Sequence, residues 1–164
     1  SGSNDGAMYI CSLSNGSIQK VVNIVNKPLH IIISDGWGFI VVFSEVIPNS
    51  TEVSFHDNSH RYSSHGCGNY ELLLYTINGT FITSTKVDTE LVSWTKWIDR
   101  SGFDFLAISL KGGKVFAFEI YYLQLKSAIW RSHYEVVGIK YHKKTKSLIM
   151  INTIGQIQIQ TIDP

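Results

Sequence analysis

Four side chains able to hold a soft metal ion fall close together: His56, His60, His65 and Cys67. Imidazole nitrogen and thiolate sulfur are zinc ligands, and spacings of four, five and two residues would let one loop wrap an ion. Their surroundings, SFHDNSHRYSSHGCGNY, are rich in Ser, His, Asn and Gly and contain no rigid pair such as HExxH. The plainer reading is a long polar loop. A metal- or small-ligand-binding β domain is the alternative. A second cluster, Lys140, Lys143, Lys144 and Lys146 in KYHKKTK, has the charge to meet anionic lipid headgroups, at about 1 kcal/mol per basic residue near the surface. Such a run is more simply a solvated turn. For covalent chemistry there is no GxSxG elbow, P-loop, HExxH or paired-cysteine motif. The chain reads as a non-enzyme that needs no cofactor.

Whatever these residues do, other elements must hold them. The chain has 164 residues, 44% hydrophobic and 16% charged, enough for a sizeable core and too apolar for disorder. Eight Tyr, eight Phe and four Trp against three Pro favour strands. A formal charge of +1 gives no electrostatic reason to expect nucleic acid. Two cysteines, Cys11 and Cys67, form no disulfide framework. The first residues lack the basic cluster and apolar run of a signal peptide, and no stretch reaches the ~18–20 apolar residues of a span. The expected location is cytoplasmic.

The clearest element is Phe103–Ile120, FDFLAISLKGGKVFAFEI. Two apolar runs flank Lys111-Gly112-Gly113-Lys114, and a Gly-Gly pair between β-prone runs reads as a hairpin turn. Neither run alternates, so both faces of the ribbon must be covered. The same units recur. Asn15-Gly16 and Asn78-Gly79 each follow an apolar strand and lie 63 residues apart, while Gly113 and Gly155 precede VFAFEI and IQIQTI 42 residues apart. The excess of 21 is about the length of the irregular stretch Ile47–Gly68. One period therefore runs through the chain, interrupted by one insertion. A period of ~40–45 residues with four strands is that of a WD40-type propeller blade.

With strands lettered a to d, the chain opens on c at Ala7–Leu13 and d at Ser17–Ile24. Then follow a at Leu29–Ser34, b at Phe39–Val46, c at Tyr70–Ile77 and d at Thr80–Lys86. The third blade has a at Leu91–Ile98, the central ribbon as b and c, and d near Ser127–Arg131. The last has a at Val136–His142, b at Ser147–Asn152 and c at Gln156–Ile162. The expected fold is all-β: a single partial propeller of about three and a half four-stranded antiparallel blades. Its blade pieces are 1–27, 28–88, 89–132 and 133–164, with an insertion loop at 47–68.

Trp94, Trp97 and Asp99 in VSWTKWIDRSGFDFLAISLKGGKVFAFEIYYL, followed by Trp130-Arg131-Ser132-His133, resemble the last blades of the WD40 region of BEACH-domain, neurobeachin-like proteins. GWGFIVVFSE and LLLYTINGTFITS are similar to the blade before, and the resemblance covers roughly Pro28 to Ile162. No Trp-Asp dipeptide ends any c strand, and the BEACH domain itself is absent. The resemblance implies a non-catalytic scaffold in vesicle and membrane traffic, peripheral to intracellular membranes, with protein partners held by the propeller's end loops. In those loops Trp37, Arg100, Lys111, Lys143 and Lys144 are the candidate contacts. Trp94 and Trp97, three apart on a strand, point to opposite faces and read as packing between blades. Three and a fraction blades do not close a ring, so missing blades or a second copy are expected to complete it.

Overall fold

A computed structural model describes residues 6–24, 26–47, 70–131 and 133–162. Within them the strands are β1 (Ala7–Cys11), β2 (Ile18–Asn23), β3 (Lys27–Ile33), β4 (Phe39–Glu45), β5 (Tyr70–Thr76), β6 (Phe81–Val87) and β7 (Leu91–Ile98). They continue as β8 (Asp104–Leu110), β9 (Lys114–Glu119), β10 (Gln124–Arg131), β11 (Val136–His142), β12 (Ser147–Asn152) and β13 (Ile157–Thr161). A 3-10 turn, Ile120–Tyr122, joins β9 to β10. The strands form four antiparallel sheets in chain order: sheet I (β1-β2), sheet II (β3-β4-β5-β6), sheet III (β7-β8-β9-β10) and sheet IV (β11-β12-β13). This is the all-β partial propeller expected from the period.

Three apolar cores lie between the four sheets. Met8, Ile10, Val22 and Ile24 of sheet I and its exit meet Ile40, Val42, Leu73 and Tyr75 of sheet II. Phe39, Val41, Phe43, Leu72 and Leu74 of sheet II meet Leu106, Ile108, Leu110 and Phe118 of sheet III. Trp97, Ala107, Val115 and Ala117 of sheet III meet Val136, Ile139, Leu148 and Met150 of sheet IV. Successive residues of a strand point to opposite faces, so β4 and β8 each feed two cores. That is why neither alternates in sequence: Val41, Val42 and Phe43 are all fully buried, as are Leu106, Ala107 and Ile108.

The Gly-Gly turn takes the positive φ that glycine tolerates, 86° at Gly112 and 79° at Gly113, and the Gly113 N–H closes onto the Leu110 carbonyl at 3.1 Å. Some strand ends differ from the sequence reading. Leu13 is fully exposed beyond β1, Phe103 is exposed ahead of β8, and β10 begins at Gln124, upstream of the Ser127 expected. Bulges between Leu125 and Ser127 and between Ala128 and Trp130 blur the period of β10.

Sheet IV ends the stack with an orientation that alternation alone does not specify. In β13 the isoleucines face outward and the glutamines inward: Ile157 and Ile159 are 67% and 65% exposed, while Gln158 and Gln160 are half-buried. Ile157 lies opposite Ile151, and Ile159 opposite Ile149, so one broad apolar face looks away from sheet III.

Candidate functional site

The loops that join a to b and c to d lie at one end of an antiparallel sheet, and the b–c loops lie at the other. Trp37 (β3–β4 turn), Arg100 (β7–β8 turn), Lys143 and Lys144 (β11–β12 turn) therefore line up along one end across three successive sheets. Lys111, on the β8–β9 turn, lies at the opposite end. There its N–H bonds to the Glu90 carbonyl at 2.8 Å and its ammonium pairs with the Glu90 carboxylate at 3.4 Å.

At the first end a cleft of about 490 Å³ opens between sheets III and IV, within the size range of ligand pockets. Among the described residues, the two sheets are hydrogen-bonded along their inner edges. The backbone N–H groups of Ile139 and Tyr141 on β11 donate to the hydroxyls of Ser93 (3.3 Å) and Thr95 (3.1 Å) on β7. Farther out the sheets diverge. Sheet III has a fourth strand, β10, and among the described residues sheet IV has nothing opposite it.

The cleft's inner wall is aromatic. The Trp97 ring lies between Phe105 and Tyr141, with centroids 5.4 and 5.3 Å away and planes within 12° and 23°. Ala117 and Ile129 extend this apolar wall, and Gln160, Thr161 and Ile162 of β13 and its exit form the facing side. The rim is cationic: Arg100, Lys126, Lys143 and Lys146 all border the opening. Lys126 is paired with Glu119 at 2.5 Å, whereas the other three have no ion pair among the described residues. Asp99 also lines the cleft, but its Oδ1 accepts the N–H groups of Ser101 (2.9 Å) and Phe103 (2.8 Å) and so is committed to its own turn. A chain with a formal charge of only +1 thus concentrates positive charge at one opening.

Of the candidate contacts, the structure brings Arg100 and Lys143 together at this cleft, with Lys144 on the adjoining turn. Trp37 is 60% exposed and rests on the same neighbourhood, its indole Nε1–H donating to the Gly102 carbonyl at 2.9 Å. The insertion loop, with His56, His60, His65 and Cys67, lies outside the described residues except for Ile47. Trp97 packs between sheets, while Trp94 remains partly exposed.

Asp104 was not singled out by the sequence reading. It is 4% exposed at the head of β8, and its carboxylate accepts the Trp37 N–H at 3.0 Å and the Gly36 N–H at 3.2 Å. Nearby, Lys96 donates to the Ile33 carbonyl and pairs with Asp35, both at 2.5 Å. Two charged side chains of sheet III thus clamp the Asp35–Gly38 turn of sheet II. The sequence signal was present: an acidic residue interrupts the otherwise apolar GFDFLAISL.

With this geometry the chain is a WD40-like β-propeller piece, and solved structures agree. It superposes on the BBS1N domain crystallised with ARL6DN with a TM-score of 0.67 at 17% identity, covering 99% of this chain and 45% of that one. The C-terminal WD40 domain of Sif2 gives 0.62 at 12% identity, and the Myceliophthora thermophila Cps50 (Swd1) β-propeller domain 0.61 at 12%. The chain spans less than half of each of these structures, 42% of Sif2 and 46% of Swd1. A computationally designed protein, Ika4, gives 0.65 at 11% identity with 83% of its length covered. No family model matches the chain, and no curated protein matches it.

Proposed function

We propose that the chain is a non-catalytic protein-interaction module, the C-terminal WD40 part of a BEACH-type protein acting in vesicle and membrane traffic. In this reading it works in the cytoplasm at the periphery of intracellular membranes. Trp37, Arg100, Lys111, Lys143 and Lys144 contact partners from its two ends.

The observation that carries the interaction reading is the outward face of sheet IV. Ile151, Ile157 and Ile159 together expose an apolar surface of the kind that protein contacts cover. BBS1N, a structural neighbour crystallised with ARL6DN, shows that a propeller of this fold can hold a protein partner. The BEACH assignment rests on the Trp-rich a strand and GFDFL, whose Trp97 and Phe105 form the packed wall described above.

Light scattering of the purified chain tests the exposed face. Association between copies, abolished by Ile157→Asp with Ile159→Asp, is the expected result. A clean monomer of high thermal stability would end the reading of that face. The trafficking part is tested by reading the gene upstream of Ser1, where a BEACH domain is expected.

A further inference from the structure

The exposed apolar side chains on the turns of sheets II and III are gathered at one end, and the β3–β4 turn is their hub. From it Trp37 reaches the Gly102 carbonyl (2.9 Å), beside Phe103. Phe39, which follows the turn, meets the Tyr121 ring edge-on at 5.5 Å, and Tyr121 meets Tyr122 at 4.3 Å. On the other side Gly38 lies against Ile77, whose Cβ would be 3.5 Å from a Cβ on the glycine. Trp37, Ile77, Phe103, Tyr121 and Tyr122 are all exposed, on four adjoining turns. At the opposite end, the described residues of the β4–β5, β6–β7 and β8–β9 turns expose one large apolar side chain, Ile47. Both sheets have four strands and pack on both faces, so this patch belongs to the ends of complete blades.

Charge is divided between the same two ends. Among the described residues, turns at the aromatic end carry Arg100, Lys143, Lys144 and Lys146 against Asp35 and Asp99. Turns at the other end carry Lys111 against Asp88, Glu90 and Glu135. Asp35 is paired with Lys96, and Asp99 accepts N–H groups of its own turn. With both acids counted, the aromatic end is still net positive.

We propose that this end docks on the surface of a bilayer containing anionic lipids. Trp37, Phe103 and Tyr122 enter the headgroup layer, while Arg100, Lys143 and Lys144 meet its phosphates and carboxylates. The proposal rests on the reading of the chain as peripheral to membranes and assigns the face that makes the contact. Two features favour lipid over a protein partner. Trp and Tyr, with an apolar ring and a polar tip, suit the layer where hydrocarbon meets water. Stacked sheets lie about 10 Å apart, so the hub on sheet II and the lysine turn on sheet IV are about 20 Å apart. A flat charged surface meets both at once, whereas a bound peptide of a few residues does not. Stable attachment takes two signals, and here a shallow apolar contact stands beside a basic one.

The test is sedimentation of the full chain with vesicles of phosphatidylcholine alone or with about one-third phosphatidylserine. Binding about tenfold or more tighter to the anionic vesicles, and weaker with added salt, is expected. Lys143→Glu with Lys144→Glu should weaken it about tenfold or more. Lys27→Glu with Lys114→Glu makes the same change of net charge at the opposite end and should leave binding within about twofold. Tyr122→Ser, at a side chain outside the cores, should weaken binding about threefold or more. Spin-labelled lipid should quench the tryptophan emission of the chain more than that of Trp37→Phe, which keeps a ring in the turn. Equal binding to neutral and anionic vesicles, or equal loss in the two charge-reversed pairs, would overturn the role of charge at this end. Quenching that is the same with and without Trp37 would overturn insertion of the aromatic patch. No binding to either vesicle would overturn the proposal outright and leave the face to a protein partner. Association between copies and the gene upstream of Ser1 are scored separately, so failure here leaves the broader interaction reading standing.

Discussion

Removing the Asp104 carboxylate is expected to loosen sheet II from sheet III at the end that carries Trp37. Asp104→Ala leaves two backbone donors, the N–H groups of Gly36 and Trp37, without the acceptor they share. An abandoned buried donor costs about 1–3 kcal/mol, and bonds to a charged acceptor lie toward the top of that range. The turn is partly exposed, so water recovers some of the loss, leaving about 2–4 kcal/mol. For a chain of this size each kcal/mol moves the melting temperature by about 2–4 °C, so a drop of about 5–15 °C is expected. Asp104→Asn keeps one acceptor oxygen and is expected to cost about half as much. A double-mutant cycle tests how closely the carboxylate approaches the turn. A Cβ on Gly36 would lie 3.0 Å from Asp104 Oδ2 and 3.3 Å from Oδ1, so Gly36→Ala crowds the carboxylate in the native chain. In the Asp104→Ala background that space is free, and Gly36→Ala should cost less, with a coupling of about 1 kcal/mol. Thermal melts followed by circular dichroism, with amide exchange at Gly36 and Trp37, provide the readout. A drop under about 2 °C with unchanged exchange at both amides would refute the clamp.

Two further outcomes follow from the interior. Thr95→Val keeps the shape at the β7–β11 seam but removes the acceptor for the Tyr141 N–H. It should cost about 1–3 kcal/mol in a urea melt, while Thr95→Ser, which keeps the hydroxyl, should cost clearly less. Burial, and secondarily the Glu71 carboxylate, raise the Tyr75 phenol above its ordinary value near 10. A raised folded-state value means this contribution is complete below about pH 10 and is lost as pH climbs through the folded value. Tyr75→Phe should therefore flatten the alkaline loss of stability, measured as urea midpoints at about pH 8 and pH 10.5. Parallel losses in both proteins would show that another group is responsible.

The strands were legible because two-sided burial writes itself as unbroken apolar runs, and because Gly16, Gly79, Gly113 and Gly155 mark hairpins that need positive φ. The ends of β7, β11 and β12 fall on the residues expected. Other features depend on residues far apart in the chain. Asp104 and Gly36 are 68 positions apart, and nothing local to either announces the other. Arg100 and the lysine-rich turn were each visible, but their meeting at one opening depends on how sheets III and IV diverge. Alternation in β13 showed that its faces differ. Which face turns inward depends on the neighbour, and there the glutamines were placed against sheet III and the isoleucines left outside.

Sharing of strands between cores also sets the order in which the molecule comes apart. Among the described residues, sheets II and III pack on both faces, whereas sheets I and IV each pack on one. Each sheet feels only its immediate neighbours, as in a solenoid, so melting starts as fraying at the outermost layers and unzips toward the middle. The inner strands of the two middle sheets, β4, β5, β8 and β9, are then the last to open, and whatever caps either outer layer tightens the whole stack by delaying the first step.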